Sequence, residues 1–109
     1  MLDERQFRTA SDEALTRLQR ALERAADDHE FDVDRDQGAL TIEFEDPPAK
    51  FVVSPNAPVR QVWISARVKS FKLDWDDAQS AFVLAADGRT LHQLIADLVG
   101  EQIGEPIRL

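Results

Sequence analysis

The chain has 109 residues, the size of one domain, and no cysteine, which rules out disulfides, thiolate metal sites and cysteine nucleophiles. Its formal net charge is −8, and the whole excess lies in residues 23–46, where ten carboxylates (Glu23, Asp27, Asp28, Glu30, Asp32, Asp34, Asp36, Glu43, Glu45, Asp46) stand against Arg24 and Arg35 while the rest of the chain is balanced. Such a block attracts cations, either a metal or a basic protein surface, and repels the phosphates of nucleic acid.

The first residues, Met1-Leu2-Asp3-Glu4-Arg5, carry no apolar h-region, and no apolar run approaches the ~20 residues of a membrane span. The expectation is a soluble cytoplasmic protein that does not engage membranes, with residues 1–109 forming one domain.

In chain order, residues 3–28 predict an amphipathic helix. Phe7, Ala14, Leu15, Leu18, Leu22 and Ala25 recur at three- and four-residue spacing, and Asp3 with Gln6 supplies a capping box. At Phe31 the period changes to two. Phe31 and Val33 alternate with Asp32, Asp34 and Asp36; after Gln37-Gly38, Leu40, Ile42 and Phe44 alternate with Thr41, Glu43 and Glu45. This predicts a β-hairpin with one apolar face and one carboxylate face. Pro47-Pro48 predict the end of its second strand. A short third strand follows at 51–53, then a turn over 54–58. A fourth strand is predicted from Val59 to Ala66, a fifth carries Phe71, Leu73 and Trp75 alternating with Lys72 and Asp74, and a short sixth covers 82–84. Asp87-Gly88 turns the chain into a second helix, capped by Thr90 with Gln93, striped by Leu91, Leu94, Ile95, Leu98 and Val99, and stopped by Gly104 and Pro106.

Helices at both ends of a run of antiparallel strands predict an α+β two-layer sandwich, with two terminal helices on one face of a six-stranded, mainly antiparallel sheet. The other face is left to solvent and carries the carboxylates, Gln61 and Trp63. Trp63 lies between Gln61 and Ser65 at even spacing, whereas Val62 and Ile64 take the apolar face. An exposed aromatic flanked by hydrogen-bonding side chains has the make-up of a binding hot spot.

Asp32 and Asp34 share a strand face, and Glu43 and Glu45 are expected on the same face of the next strand. Like charges opposed across a sheet are destabilising, and a bound cation relieves them. All-oxygen ligation suits hard cations such as iron, manganese, magnesium or calcium. Binding is expected to be weak and salt-sensitive, with His29 at the helix end as a further donor. Asp32-x-Asp34-x-Asp36 with Glu43 imitates a calcium-binding EF-hand loop, but its glycine comes one residue late and the flanking residues alternate as strands. No nucleophile–base pair or phosphate-binding loop is apparent, so no enzyme is predicted beyond weak iron oxidation at the surface.

The acidic helix, the hairpin with Gly38-Ala39-Leu40-Thr41-Ile42, then Phe51-Val52-Val53, Pro58-Val59-Arg60-Gln61-Val62-Trp63-Ile64-Ser65, Asp74-Trp75, and the run from Asp87 to Leu94 together resemble the frataxin family in its short bacterial form. The resemblance covers nearly the whole chain, and the Gln61-x-Trp63-Ile64-Ser65 strand is its most specific part. It implies a protein of iron–sulfur cluster assembly, binding Fe(II) or Fe(III) weakly and engaging a cysteine desulfurase and its scaffold partner; the residue pattern itself predicts a monomer. Carried over, the iron ridge comprises Glu23, Asp28, Glu30, Asp32 and Asp34, with Asp27 and Asp36 beside them; the partner site centres on Gln61 and Trp63, with Arg60 and Ser65. The chain departs from the family in carrying Gln19, Arg20 and Arg24 on the helix and Ala66-Arg67-Val68-Lys69-Ser70 in place of a glycine-rich loop. Two other functions fit the residues: an acidic adaptor that docks a basic protein surface without metal, and a small acidic secretion-type chaperone, which would dimerise through an apolar surface.

Overall fold

A computed structural model describes residues 2–45 and 47–109. Helix α1 (Glu4–Ala26) is followed by strands β1 (Phe31–Asp36), β2 (Ala39–Glu45), β3 (Pro48–Asn56), β4 (Gln61–Ala66), β5 (Lys69–Asp76) and β6 (Ala81–Leu84), and then by α2 (Leu91–Ile103). The strands form one antiparallel meander, each paired with its sequence neighbours in the order β1 to β6. Both helices pack on the same sheet face. Phe7, Leu15, Leu18 and Leu22 of α1 and Leu91, Leu94, Ile95 and Val99 of α2 bury against Leu40, Ile42, Phe51, Val53, Val62, Ile64, Leu73 and Phe82. The sandwich predicted from periodicity is the one observed.

Local signals act where expected. The Asp3 side chain accepts from Gln6 N while Gln6 returns a bond to Asp3 N, and Thr90 and Gln93 do the same at α2. Such caps satisfy amides that the first helical turn leaves open. Gln37 and Gly38 both have positive φ (52° and 85°), as a two-residue hairpin loop between strands of right-handed twist requires. At the C-terminus Gly104 adopts the left-handed conformation, and Ile107 and Leu109 return to the core.

Around β3 three strand boundaries differ from those predicted. β2 ends at Glu45, before Pro47-Pro48, as predicted, but β3 already begins at Pro48 rather than Phe51 and runs through Pro55 to Asn56 where a turn was expected. The strands are offset: β2 covers β3 only from Pro48 to Val53, and β4 covers it only from Phe51 to Asn56. Each proline therefore sits where β3 has a single neighbour, and its missing N–H costs no second ladder bond. The fourth strand starts at Gln61 rather than Val59, because 57–59 form a 3₁₀ turn closed by Arg60 N donating to Ala57 O.

Candidate functional site

The molecule carries two distinct surfaces. The first is acidic. Glu23 lies on the last turns of α1, Asp27 is its C-cap, Asp28 and Glu30 lie in the connection, and Asp32, Asp34 and Asp36 follow at every second position of β1. All seven side chains are exposed. They form a line along the last turns of α1 and the β1 edge of the sheet. Among the described residues no three acidic or histidine side chains converge as a chelating group, so the ridge is a row of separate oxygen donors.

Register decides the electrostatics of this row. Asp32 stands directly opposite Glu43, and Glu43 directly opposite Lys50 on its other side. Directly opposed side chains lie about 5 Å apart, close enough for like charges to destabilise the sheet and opposite charges to stabilise it. Lys50 thus offsets Glu43 and leaves Asp32, on the edge strand, as the uncompensated member. Glu45 faces the same way and, with His29, Glu30, Phe31 and Asp32, lines a polar cleft of about 270 Å³.

Arg35 belongs to the acidic block by sequence but not in space. It points to the helix side, where Nη1 donates to Thr16 Oγ1 and Nη2 to Asp12 Oδ1, each at 2.9 Å. The ridge side of β1 therefore carries no cation. Arg20 and Arg24 are exposed and make no ion pair with a described residue. His29 is not a free donor at the helix end: its Nδ1 is bonded to the Glu105 carboxylate, and its ring stacks on Phe31. This tie joins the start of β1 to the C-terminal segment, and nothing in the local sequence of either partner announces it.

The second surface is the β4–β5 patch. Trp63 is 36% exposed, whereas Val62 and Ile64 beside it are buried, so the alternation read from sequence holds. Its Nε1 donates to Gln61 Oε1 at 2.9 Å, and Gln61 Nε2 donates to Asp74 Oδ1 at 3.0 Å. Lys72 Nζ lies over the indole, 4.9 Å from the ring centroid. The two contacts to β5 follow from register, because Gln61 is opposite Asp74 and Trp63 opposite Lys72. Ser65 is exposed on the same face, opposite Ser70. Arg60 enters β4 in the left-handed conformation (φ 52°, ψ 47°) and is half-buried. Lys50, Lys72 and Asp74 are surface members that sequence reasoning did not single out. The alternation of Lys72 and Asp74 was visible, but their partners require the turn at Arg67-Val68 to be placed first.

That turn carries no glycine. Arg67 takes a positive φ (58°), and its Nε donates to Gln102 Oε1 at 2.6 Å; Gln102 Nε2 donates in turn to Pro47 O at 2.9 Å. Trp75, on the Phe71–Leu73 side of β5, is packed edge-on to Phe82 with its Nε1 bonded to Asp77.

The family model of the frataxin-like domain matches residues 1–105. The chain belongs to the frataxin-like family. The "iron-sulfur cluster assembly protein CyaY" of Azotobacter vinelandii is 34% identical over 97 residues, which cover 87% of each chain. The protein of the same name from Dechloromonas aromatica is 31% identical over 108 residues and 99% of each. Among solved structures, the frataxin of Psychromonas ingrahamii superposes with a TM-score of 0.85 over 98% of this chain and 97% of its own, at 18% identity. Trimeric yeast frataxin gives 0.73 over 88% and 80%, at 21% identity. At such identities the likeness is one of fold, and the fold is the frataxin sandwich. No helix among the described residues is long and apolar enough to cross a membrane.

Proposed function

We propose that this protein serves iron–sulfur cluster assembly, taking iron as its cargo on the acidic ridge and docking a cysteine desulfurase and its scaffold protein through the β4 face. Relatives that match this chain nearly end to end carry the name iron–sulfur cluster assembly protein, and that supports the process. The observation that carries the molecular reading is the segregation of two surfaces. Seven exposed carboxylates run along the end of α1, the connection after it and the β1 edge of the sheet, and an exposed tryptophan hydrogen-bonded to Gln61 lies on the interior strand β4.

Glu23, Asp27, Asp28, Glu30, Asp32, Asp34 and Asp36 offer oxygen donors of the kind that hard iron ions accept, in a row rather than a cage. The fit is to weak, multi-site, readily released iron, which suits a cargo. Gln61, Trp63, Arg60 and Ser65 supply an amphipathic surface with both donors and acceptors, the composition of an interface anchor. The protein acts without an active site of its own, as a monomer in the cytoplasm.

An anaerobic proton–nitrogen NMR titration with Fe(II), at low and physiological salt, tests this. Signals of residues 23–36 broaden selectively while the Trp63 indole stays sharp, and the effect weakens with salt. Addition of desulfurase then perturbs the Trp63 surface. If no signal in 23–36 moves at millimolar iron, the ridge is not an iron site, and metal-independent docking of a basic partner replaces this reading.

A further inference from the structure

We propose that Asp74 and Lys72 of β5 are positioning residues for Trp63, holding the indole in one orientation before a partner arrives. The inference rests on the reading that the β4 face docks a partner protein.

The hydrogen-bond polarity leaves one arrangement. An indole N–H only donates and an ionised carboxylate only accepts, whereas a carboxamide does both. Gln61 stands between the two, with its Oε1 2.9 Å from Trp63 Nε1 and its Nε2 3.0 Å from Asp74 Oδ1. Turning the amide over would oppose two acceptors on one side and two donors on the other. Asp74 therefore fixes the Gln61 amide, and the Gln61 oxygen fixes the indole edge. Lys72 completes the constraint from the directly opposed position, its ammonium 4.9 Å from the ring centroid. Attraction of a cation to the ring face favours that orientation over others the exposed side chain could sample.

The consequence is for binding. Immobilising a side chain on association costs about 0.5–1.5 kcal/mol, which corresponds to about twofold to tenfold in affinity. An indole already held by its own sheet avoids most of that cost. Asp74 and Lys72 are exposed surface residues, so replacing them leaves the core intact.

The test compares Asp74→Ala, Asp74→Asn and Trp63→Ala in the full chain. Two readouts are taken: the indole N–H signal with its solvent exchange, and affinity for the desulfurase–scaffold complex by calorimetry. Trp75, bonded to Asp77, is an internal control whose indole signal stays in place. Asp74→Ala is expected to shift the Trp63 indole signal, speed its exchange severalfold, and weaken binding about threefold to tenfold. Asp74→Asn, whose amide oxygen still accepts from Gln61, restores most of both. An unmoved Trp63 signal in Asp74→Ala overturns the proposal. So does a moved signal with unchanged affinity, provided Trp63→Ala binds weakly. If Trp63→Ala binds like the unaltered protein, the docking reading fails, and the indole signal alone still decides whether the relay exists.

Discussion

The row Asp32–Glu43–Lys50 predicts a sign pattern that simple removal of negative charge does not. Asp32 has one charged neighbour across the strand, Glu43; Glu43 has Asp32 on one side and Lys50 on the other. Two unit charges about 5 Å apart in a water-like medium interact by about 0.8 kcal/mol, within the 0.2–1 kcal/mol range of cross-strand pairs. Asp32→Asn removes repulsion and nothing else, and is expected to stabilise the protein by about 0.5 kcal/mol. Glu43→Gln removes one repulsion and one attraction of similar size, and is expected to be nearly neutral. Lys50→Gln leaves both carboxylates uncompensated and destabilises by about 0.5 kcal/mol. Urea unfolding at low ionic strength resolves the three, with melting temperatures moving by a few degrees. In 1 M salt, where the screening length falls to about 3 Å, all three differences should collapse. Fe(II), if it binds the ridge, should stabilise the unaltered protein more than Asp32→Asn. A stabilisation by Glu43→Gln equal to that by Asp32→Asn, or differences that persist in high salt, would refute the register argument.

Gln102 is only 5% exposed, and both ends of its amide are bonded, one to the Arg67 guanidinium. Gln102→Ala should cost about 2–4 kcal/mol, read as a lower urea midpoint, and a loss below about 0.5 kcal/mol would show the buried amide to be dispensable. Gln37 occupies the left-handed region that asparagine tolerates better, so Gln37→Asn should raise stability by some tenths of a kcal/mol; unchanged or lower stability would count against strain at that turn. Burial, and then the charge of Arg17, hold His92 below the usual imidazole range. The unfolded chain therefore binds its proton first, and stability present above about pH 6.5 is lost as pH falls through the lower folded value. Urea midpoints compared between pH 7.5 and 5.5 should show a smaller fall for His92→Gln than for the unaltered protein; equal falls would exclude His92 as the source.

The sequence by itself determined what depends on period and on neighbours a few residues away. The change from a 3.6- to a 2-residue repeat at Phe31 set the helix against the hairpin and turned Asp32, Asp34 and Asp36 to one face. The Asp3–Gln6 and Thr90–Gln93 boxes set both helix starts. Alternation around Trp63 separated its exposed face from Val62 and Ile64. Tertiary structure decided the partners of polar side chains that lie far apart in sequence. Arg35 left the acidic face for Asp12 and Thr16, His29 was committed to Glu105, and Gln102 was placed between Arg67 and Pro47. It also decided that Pro48 and Pro55 could lie inside a strand, through an offset of β2 against β4 that neither proline encodes. The physical reason is range. Side-chain direction follows from local backbone geometry, whereas the identity of a hydrogen-bond or charge partner follows from register and packing, which the whole chain settles together.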